Sequence, residues 1–150
     1  MSYDLGVWYP HERLSDAEAG ALYVGLCEGT VEHPPAHPAV DAFYDELTAK
    51  HPEIDTVPDH LIDDHDYCPW SCALDRSPGH VIMPCVWSKA EYVDGFVREL
   101  ARKHGLAVFD PQSGVLPIQT LHHRVGPLRR RTDLGGRCGD KLTGALVFAT

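Results

Sequence analysis

Three side chains that can bind metals occur within eight residues, at His65, Cys68 and Cys72. Structural zinc takes four nitrogen or sulfur ligands, so this segment supplies three of them, and the neighbouring carboxylates suit harder cations. A metal-binding protein or a small metal-dependent enzyme that uses the 59–72 loop is therefore one hypothesis. A fourth zinc ligand is missing, and the proline and tryptophan between the thiols are typical of a turn. We therefore expect no metal and no cofactor, and retain the metal site as the alternative.

The segment around these thiols is strongly acidic. Residues 52–69 contain six Asp or Glu residues, three prolines and neither Lys nor Arg. A loop this long in a compact domain is usually functional or mobile. Its carboxylates can form charge-assisted hydrogen bonds with a basic partner, and tryptophan is enriched at interface hot spots. The sequence therefore predicts a partner-binding surface with an exposed Trp70, and a merely solvated loop is the alternative. Its predicted residues are Asp63, Asp64, Asp66 and Trp70.

A second candidate site follows the last predicted strand of the domain. The sequence Asp-Pro-Gln-Ser-Gly begins at Asp110, directly after the apolar residues 106–109. Ligands of α/β proteins tend to bind at the carboxyl ends of parallel strands. Asp110 and Gln112 are therefore added to the predicted partner-binding residues. The alternative is a turn in which the aspartate side chain bonds its own backbone.

The sequence lacks the common catalytic fingerprints. It contains no G-x-S-x-G, H-E-x-x-H or G-x-G-x-x-G, which mark hydrolases, zinc proteases and dinucleotide-binding proteins. We therefore predict no catalytic residues and expect a protein that is not an enzyme.

Periodicity and capping signals predict the elements that would position these sites. Residues 3–9 have strand composition, and the Ser15–Glu18 capping box should start a helix that ends at Gly29. A second helix should start at Pro38 and end before Pro52. A hairpin with arms 71–75 and 80–87 should follow. The next helix should start at a capping box over Ser88–Glu91, with Trp87 and Tyr92 as its hydrophobic staple, and should end at Gly105 before a strand over 106–109.

The predicted order is β-α-α-β-β-α-β, and it indicates an α+β fold. We expect a two-layer sandwich with a mixed four-stranded sheet and helices on one face. The strand-helix-strand unit at 80–109 should place its two strands parallel to each other.

Charge divides the chain into two parts. Residues 1–116 hold seven basic and twenty acidic residues, a net charge of −13, whereas residues 117–150 hold six basic and two acidic residues, a net charge of +4. We predict an acidic α+β domain over 1–116 and a flexible basic tail over 117–150, with a possible strand at 144–149. The tail's composition is also typical of GC-rich coding sequence read in a shifted frame. A body this acidic repels nucleic acid and favours a basic protein partner.

No apolar run is long enough to span a bilayer, and the first residues lack the basic and apolar regions of a secretory signal. We therefore expect no membrane association and a cytoplasmic location. The five irregularly spaced cysteines fit reduced thiols in that compartment.

Six short phrases of the sequence are Tyr3–Trp8, Cys68–Ser71, Gly79–Met83, Val86–Ser88, Ala101–Gly105 and Phe109–Ser113. Together they resemble a group of small uncharacterised actinobacterial proteins, some of which are similar to immunity proteins encoded beside polymorphic toxins. The likeness spans about residues 3–116 and supports the fold more than a function. It implies no activity, and in that group the position of Cys68 is more often serine, which weakens the metal hypothesis. The sequence thus favours a non-enzymatic, immunity-like protein that binds a basic partner through its acidic face.

Overall fold

Four strands form one sheet in the computed structural model, which describes residues 1–114. Their order across the sheet is β2-β3-β1-β4, and each neighbouring pair is antiparallel. The α+β class and the four strands are therefore confirmed. The sheet was expected to be mixed, but β1 lies between β3 and β4, so these two parallel strands do not pair with each other. The strands are β1 (Ser2–Trp8), β2 (Asp75–Ser77), β3 (His80–Val86) and β4 (Ala107–Phe109).

Within residues 1–114 three helices pack on the sheet: α1 (Asp16–Glu28), α2 (Pro38–Lys50) and α3 (Ala90–His104). The capping box of α1 is confirmed, because Glu18 N–H donates to Ser15 Oγ (3.3 Å) while Ser15 N–H donates to the Glu18 carboxylate (2.8 Å). α2 begins with its proline in the first turn, as predicted. No helix in residues 1–114 is long and apolar enough to cross a membrane. The tail and the strand predicted at 144–149 lie outside the described residues.

The start of α3 differs from the prediction. Residues Trp87–Lys89 form a 3-10 turn, and α3 begins at Ala90 with no side-chain cap. The capping box predicted at Ser88–Glu91 is therefore not formed. Ser88 lies inside the 3-10 turn, and Lys89 rather than Ser88 is the residue that precedes α3. The two members of its predicted hydrophobic staple, Trp87 and Tyr92, are both exposed. Gly105 ends α3 in the left-handed conformation, as expected.

The helices lie on both faces of the sheet, which corrects the expected two-layer arrangement. α2 and α3 pack with Leu5, Val7 and their β3 neighbours, whereas α1 packs with Trp8 and Phe109 on the opposite face. Gly6 permits this second layer, because a Cβ there would lie 2.9 Å from the ring of Tyr23 in α1. Successive side chains of β1 thus point into two separate cores. The polarity of the sequence alone does not show that both faces of the sheet are buried.

The hairpin is shorter than predicted and begins later. Its first arm is β2 (Asp75–Ser77) rather than 71–75, and only an isolated bridge pairs Trp70 with Cys85. β3 is the interior strand that its apolar sequence predicts. Pro84 fits there because its carbonyl accepts from Ser71 N–H (3.0 Å) on the side away from β1. Its missing N–H faces the same side, where β2 has ended, so no bond to β1 is lost.

Candidate functional site

The acidic connection is a folded segment. Two 3-10 turns, Ile54–Thr56 and Asp59–Leu61, shape its first half, and Val57 between them is buried. In the second half, Asp64 Oδ1 accepts from the N–H groups of Asp66 (3.0 Å) and Tyr67 (3.2 Å). This self-bonded turn fixes the direction in which the neighbouring side chains project.

The three predicted aspartates, Asp63, Asp64 and Asp66, are all exposed. Asp66 forms an ion pair with Lys89, and the hydrogen bond and charge of that ammonium lower the pKa of the Asp66 carboxyl. Asp66 is therefore partly neutralised within the domain. Within residues 1–114 neither an ion pair nor a side-chain hydrogen bond occupies Asp63. Among these three residues, Asp63 therefore remains available to a partner, as does the Asp64 carboxylate oxygen that the turn does not use.

Trp70 does not belong to this surface, and the prediction that it is exposed is wrong. Its side chain is 1% exposed and lies in the core between the sheet and α2. The indole N–H donates to the carbonyl of His51 (3.2 Å), so the polar atom is also satisfied inside the fold. A partner could contact this indole only if the domain opened.

Other aromatic side chains take the place of Trp70 beside the aspartates. Trp87 is 53% exposed, Tyr92 46% and Tyr67 40%. Tyr67 follows Asp66 in the chain, and the Asp66–Lys89 ion pair brings this segment against the turn that precedes α3. The sequence indicated Trp87 and Tyr92 only as a hydrophobic staple and gave no signal for Tyr67. We call this region the acidic-aromatic surface; it consists of Asp63, Asp64, Asp66, Tyr67, Trp87 and Tyr92.

His51 lies beneath this surface and contacts two of its residues, Tyr67 and Tyr92. Its ring is buried, with Nδ1 3.0 Å from the carbonyl of Tyr67 and Nε2 2.9 Å from the hydroxyl of Tyr92. A carbonyl can only accept, so Nδ1 donates to it, while Nε2 and the tyrosine hydroxyl share the second hydrogen bond. The imidazole thereby fixes both the backbone of Tyr67 and the ring of Tyr92. No sequence motif indicated this role, because residues 51, 67 and 92 are far apart in the chain.

The two residues predicted after β4 lie in a turn. Asp110 is buried, and its Oδ1 accepts from the N–H of Gln112 (2.9 Å) and of Ser113 (3.3 Å). Its other oxygen accepts from the hydroxyl of Tyr3 (3.3 Å). Burial, and then the hydrogen bond to Asp94, raise the pKa of Tyr3, so this hydroxyl remains a donor. Asp110 therefore offers little surface to a partner.

Gln112 is exposed but is engaged with β1. When its amide is assigned so that its oxygen accepts from Asp4 N–H (3.0 Å), its nitrogen donates to the Asp4 carbonyl (2.9 Å). The side chain thus continues the pairing of β1 beyond the end of β4. Both residues fit the turn alternative, and neither adjoins the acidic-aromatic surface through a described contact.

The potential metal ligands are not brought together. Cys68 is buried, with Sγ 3.5 Å from the carbonyl of Pro52, and burial raises the pKa of its thiol. Cys72 is exposed. In the described part of the chain, no three His, Cys, Asp or Glu side chains are grouped so that they could hold a metal ion. The His65, Cys68 and Cys72 spacing therefore does not become a zinc geometry in the fold.

A Ser-His-Asp arrangement, which the sequence did not suggest, lies at the β2–β3 turn. Ser77 Oγ is 2.7 Å from His80 Nδ1, and Asp75 Oδ1 is 3.8 Å from His80 Nε2. Both Ser77 and His80 are buried, and the serine hydroxyl also accepts from Gly79 N–H (3.1 Å). These bonds close the hairpin turn, and burial keeps the serine away from a substrate. The arrangement is therefore explained by the fold.

Stability is expected to fall as the pH is lowered from 7.5 towards 5. Burial is the main cause that lowers the pKa of His80, so the unfolded chain binds a proton at a higher pH than the folded one does. The stabilising contribution of the neutral ring is present above the unfolded pKa of about 6.5 and is lost below it. His80→Asn keeps a side-chain polar group near Ser77 and cannot titrate. Urea unfolding of both proteins across this range should show a shallower decline for the variant; an equal decline would contradict the assignment.

Comparison with protein-family models, curated proteins and solved structures finds no match for this chain. Its class therefore rests on its own geometry: an α+β domain with an antiparallel sheet covered by helices on both faces, and an exposed acidic-aromatic surface at the start of α3.

Proposed function

We propose that this chain is a non-enzymatic binding protein that takes a basic protein partner on its acidic-aromatic surface. The observation that carries the proposal is the exposure of three large aromatic side chains, Tyr67, Trp87 and Tyr92, in the same region as three exposed carboxylates. Exposed aromatic residues in one region mark interaction sites more often than isolated apolar residues do. Since residues 1–116 carry a net charge of −13, the partner should be basic.

The two kinds of side chain should contribute differently. Exposed carboxylates such as Asp63 and Asp64 mainly accelerate association, and salt weakens their effect. Aromatic rings that become buried on binding mainly slow dissociation. His51 supports the aromatic part, because it holds Tyr67 and Tyr92 in place before a partner arrives, which lowers the ordering cost of binding.

An immunity-like role fits this arrangement. An immunity protein acts by covering a functional surface of a toxin, and that requires a preformed complementary face rather than catalytic residues. The resemblance of residues 3–116 to proteins of that kind points in the same direction. A toxin with a basic surface is accordingly the partner class that we propose.

Neutralising the aspartates tests the proposal. With the partner recovered from the native host, the triple variant Asp63→Ser, Asp64→Ser, Asp66→Ser should associate about tenfold more slowly at low salt, and the difference should shrink at high salt. Serine retains a side-chain acceptor, so the turn at residue 64 should survive.

The matched control carries the same charge change elsewhere. Glu12, Glu28 and Glu32 are exposed, and Glu12 lies beside Trp8 and Tyr9 at the far end of β1. The variant with all three replaced by serine should associate at nearly the native rate. If both triple variants slow association equally, only net charge matters, and the proposed surface is wrong.

A further inference from the structure

A pocket with a volume of about 220 Å³ lies at the carboxyl end of β1, on the face of the sheet that α1 covers. A cavity of about 150 Å³ can hold a benzene ring, so this pocket has room for a ring compound of about ten non-hydrogen atoms. Its walls come from the connection after β1, the first half of α1 and residues 34–35. The apolar wall residues include Pro10, Leu14, Leu22, Pro34 and Pro35.

The pocket is preformed, because contacts within the fold join two of the segments that line it. The ring of Tyr9 stacks on that of His37, with 3.5 Å between ring centroids. His11 Nε2 lies 3.2 Å from the carbonyl of Pro35. A ligand therefore does not have to order these connections, and a preorganised site binds more tightly than one that must be ordered.

Trp8 lines the pocket and carries a polar atom that the fold does not use. Its side chain is 2% exposed, and no described residue accepts a hydrogen bond from its indole N–H. Buried donors in native proteins nearly always have an acceptor, so this N–H calls for one. A Cβ at Gly6 would lie 3.1 Å from Cζ3 of Trp8, the ring atom across the indole from Nε1. The N–H therefore lies on the side away from Gly6, where β1 ends and the pocket begins.

The polar groups of the pocket restrict the charge of its ligand. Glu12 and Glu18 line it, whereas neither Lys nor Arg is among the described residues that do. The two carboxylates repel an anion. A simple cation such as an ammonium group has no lone pair with which to accept from the N–H of Trp8. A neutral compound with a carbonyl oxygen meets both conditions.

We propose that this pocket binds a neutral, ring-sized apolar compound whose carbonyl oxygen accepts a hydrogen bond from the indole N–H of Trp8. The apolar walls remove the ring from water, and the single hydrogen bond orients it. The site is independent of the proposed function, because it lies at the opposite end of β1 from Tyr3, whose ring contacts Trp87 of the acidic-aromatic surface.

Three probes of similar size test the proposal on the full chain. Acetophenone carries the carbonyl, α-methylstyrene replaces its oxygen with a methylene group, and benzoate keeps an acceptor but adds a negative charge. Binding is followed by nuclear magnetic resonance through the indole N–H signals of the three tryptophans. Acetophenone should shift the signal of Trp8 and saturate in the millimolar range. α-Methylstyrene and benzoate should each bind about tenfold more weakly.

Matched tryptophan variants assign the signal and the hydrogen bond. Trp8→Phe removes the donor but keeps an aromatic ring, so acetophenone and α-methylstyrene should bind to it equally. Trp87→Phe makes the same change at an exposed position and should keep the preference for acetophenone. Thermal melts confirm that each variant is folded. If Trp8→Phe does not fold, the probes on the native chain decide alone, and the Trp8 signal is identified from its proximity to Phe109 (6.2 Å between ring centroids).

Each outcome supports or overturns a stated part of the proposal. A saturable shift of the Trp8 signal that is strongest with acetophenone supports it. Equal binding of acetophenone and α-methylstyrene to the native chain overturns the role of the indole N–H. Benzoate that binds as tightly as acetophenone overturns the preference for a neutral ligand. If acetophenone does not shift the Trp8 signal saturably, the pocket is not a binding site for this class of compound.

Discussion

Replacing Trp70 with alanine is expected to lower the free energy of unfolding by about 3–5 kcal/mol. The indole is among the largest fully buried side chains of the domain, and its removal leaves a cavity between the sheet and α2. It also leaves the carbonyl of His51 without its 3.2 Å donor, next to the imidazole that positions the acidic-aromatic surface. The measurement is urea unfolding followed by circular dichroism.

Trp87→Ala is the matched control for this experiment. It removes the same side chain from a position that is 53% exposed, so the expected change in stability is within about 0.5 kcal/mol. The two variants should also separate in binding: Trp87→Ala should weaken a partner complex while the domain stays folded. Equal destabilisation by the two replacements would contradict the assignment of Trp70 to the core and Trp87 to the surface.

Gly79→Ala is expected to cost about 3 kcal/mol, the upper end of the usual range for overpacking. A Cβ at Gly79 would overlap the carbonyl oxygen of Pro34 and lie 2.7 Å from its carbon. Both groups are backbone, so neither can move aside without displacing the β2–β3 turn or the segment before α2. The same contact region holds His37 N–H against the carbonyl of Pro78 (3.1 Å).

Gly95 provides the control for the glycine experiment. It lies inside α3, and a Cβ there would meet nothing within 4 Å. Gly95→Ala should therefore raise the free energy of unfolding by roughly 0.5–1 kcal/mol through the helix propensity of alanine. If Gly79→Ala proved as harmless as Gly95→Ala, the close packing of the hairpin turn on residues 34–35 would be refuted.

The candidate site was only partly predictable. The carboxylates of the acidic loop are exposed as predicted, because charged side chains are rarely buried without a partner. The aromatic residues were assigned to the wrong sides: Trp70 was expected at the surface and is buried, whereas Trp87 and Tyr92 were expected to pack as a staple and are exposed. The sequence does not show whether a tryptophan in an irregular segment points into the core or into solvent. Neither the two-residue period of a strand nor the 3.6-residue period of a helix applies there.

The structural roles of three other residues could not be predicted from the sequence either. His51 was interpreted only as the residue that ends α2 before a proline, and that is correct. Its contacts with Tyr67 and Tyr92 depend on the path of the connection between α2 and β2, which no local pattern encodes. Asp110 and Gln112 were placed at a strand end correctly, but their hydrogen bonds to Tyr3 and Asp4 required β1 as a neighbour.

The sequence by itself determined the elements of this protein wherever the signal was local. The Ser15 capping box, the proline at the start of α2 and the glycines that end α1 and α3 act within a few residues of themselves, so they specify the same ends in any fold. The tertiary structure alone decided that α1 covers the second face of the sheet and that β1 separates β3 from β4. It also decided that Trp70 is buried and that Trp87 is exposed. These outcomes depend on which apolar surfaces meet across long stretches of chain, and burial energy is non-directional, so it leaves no local mark in the sequence.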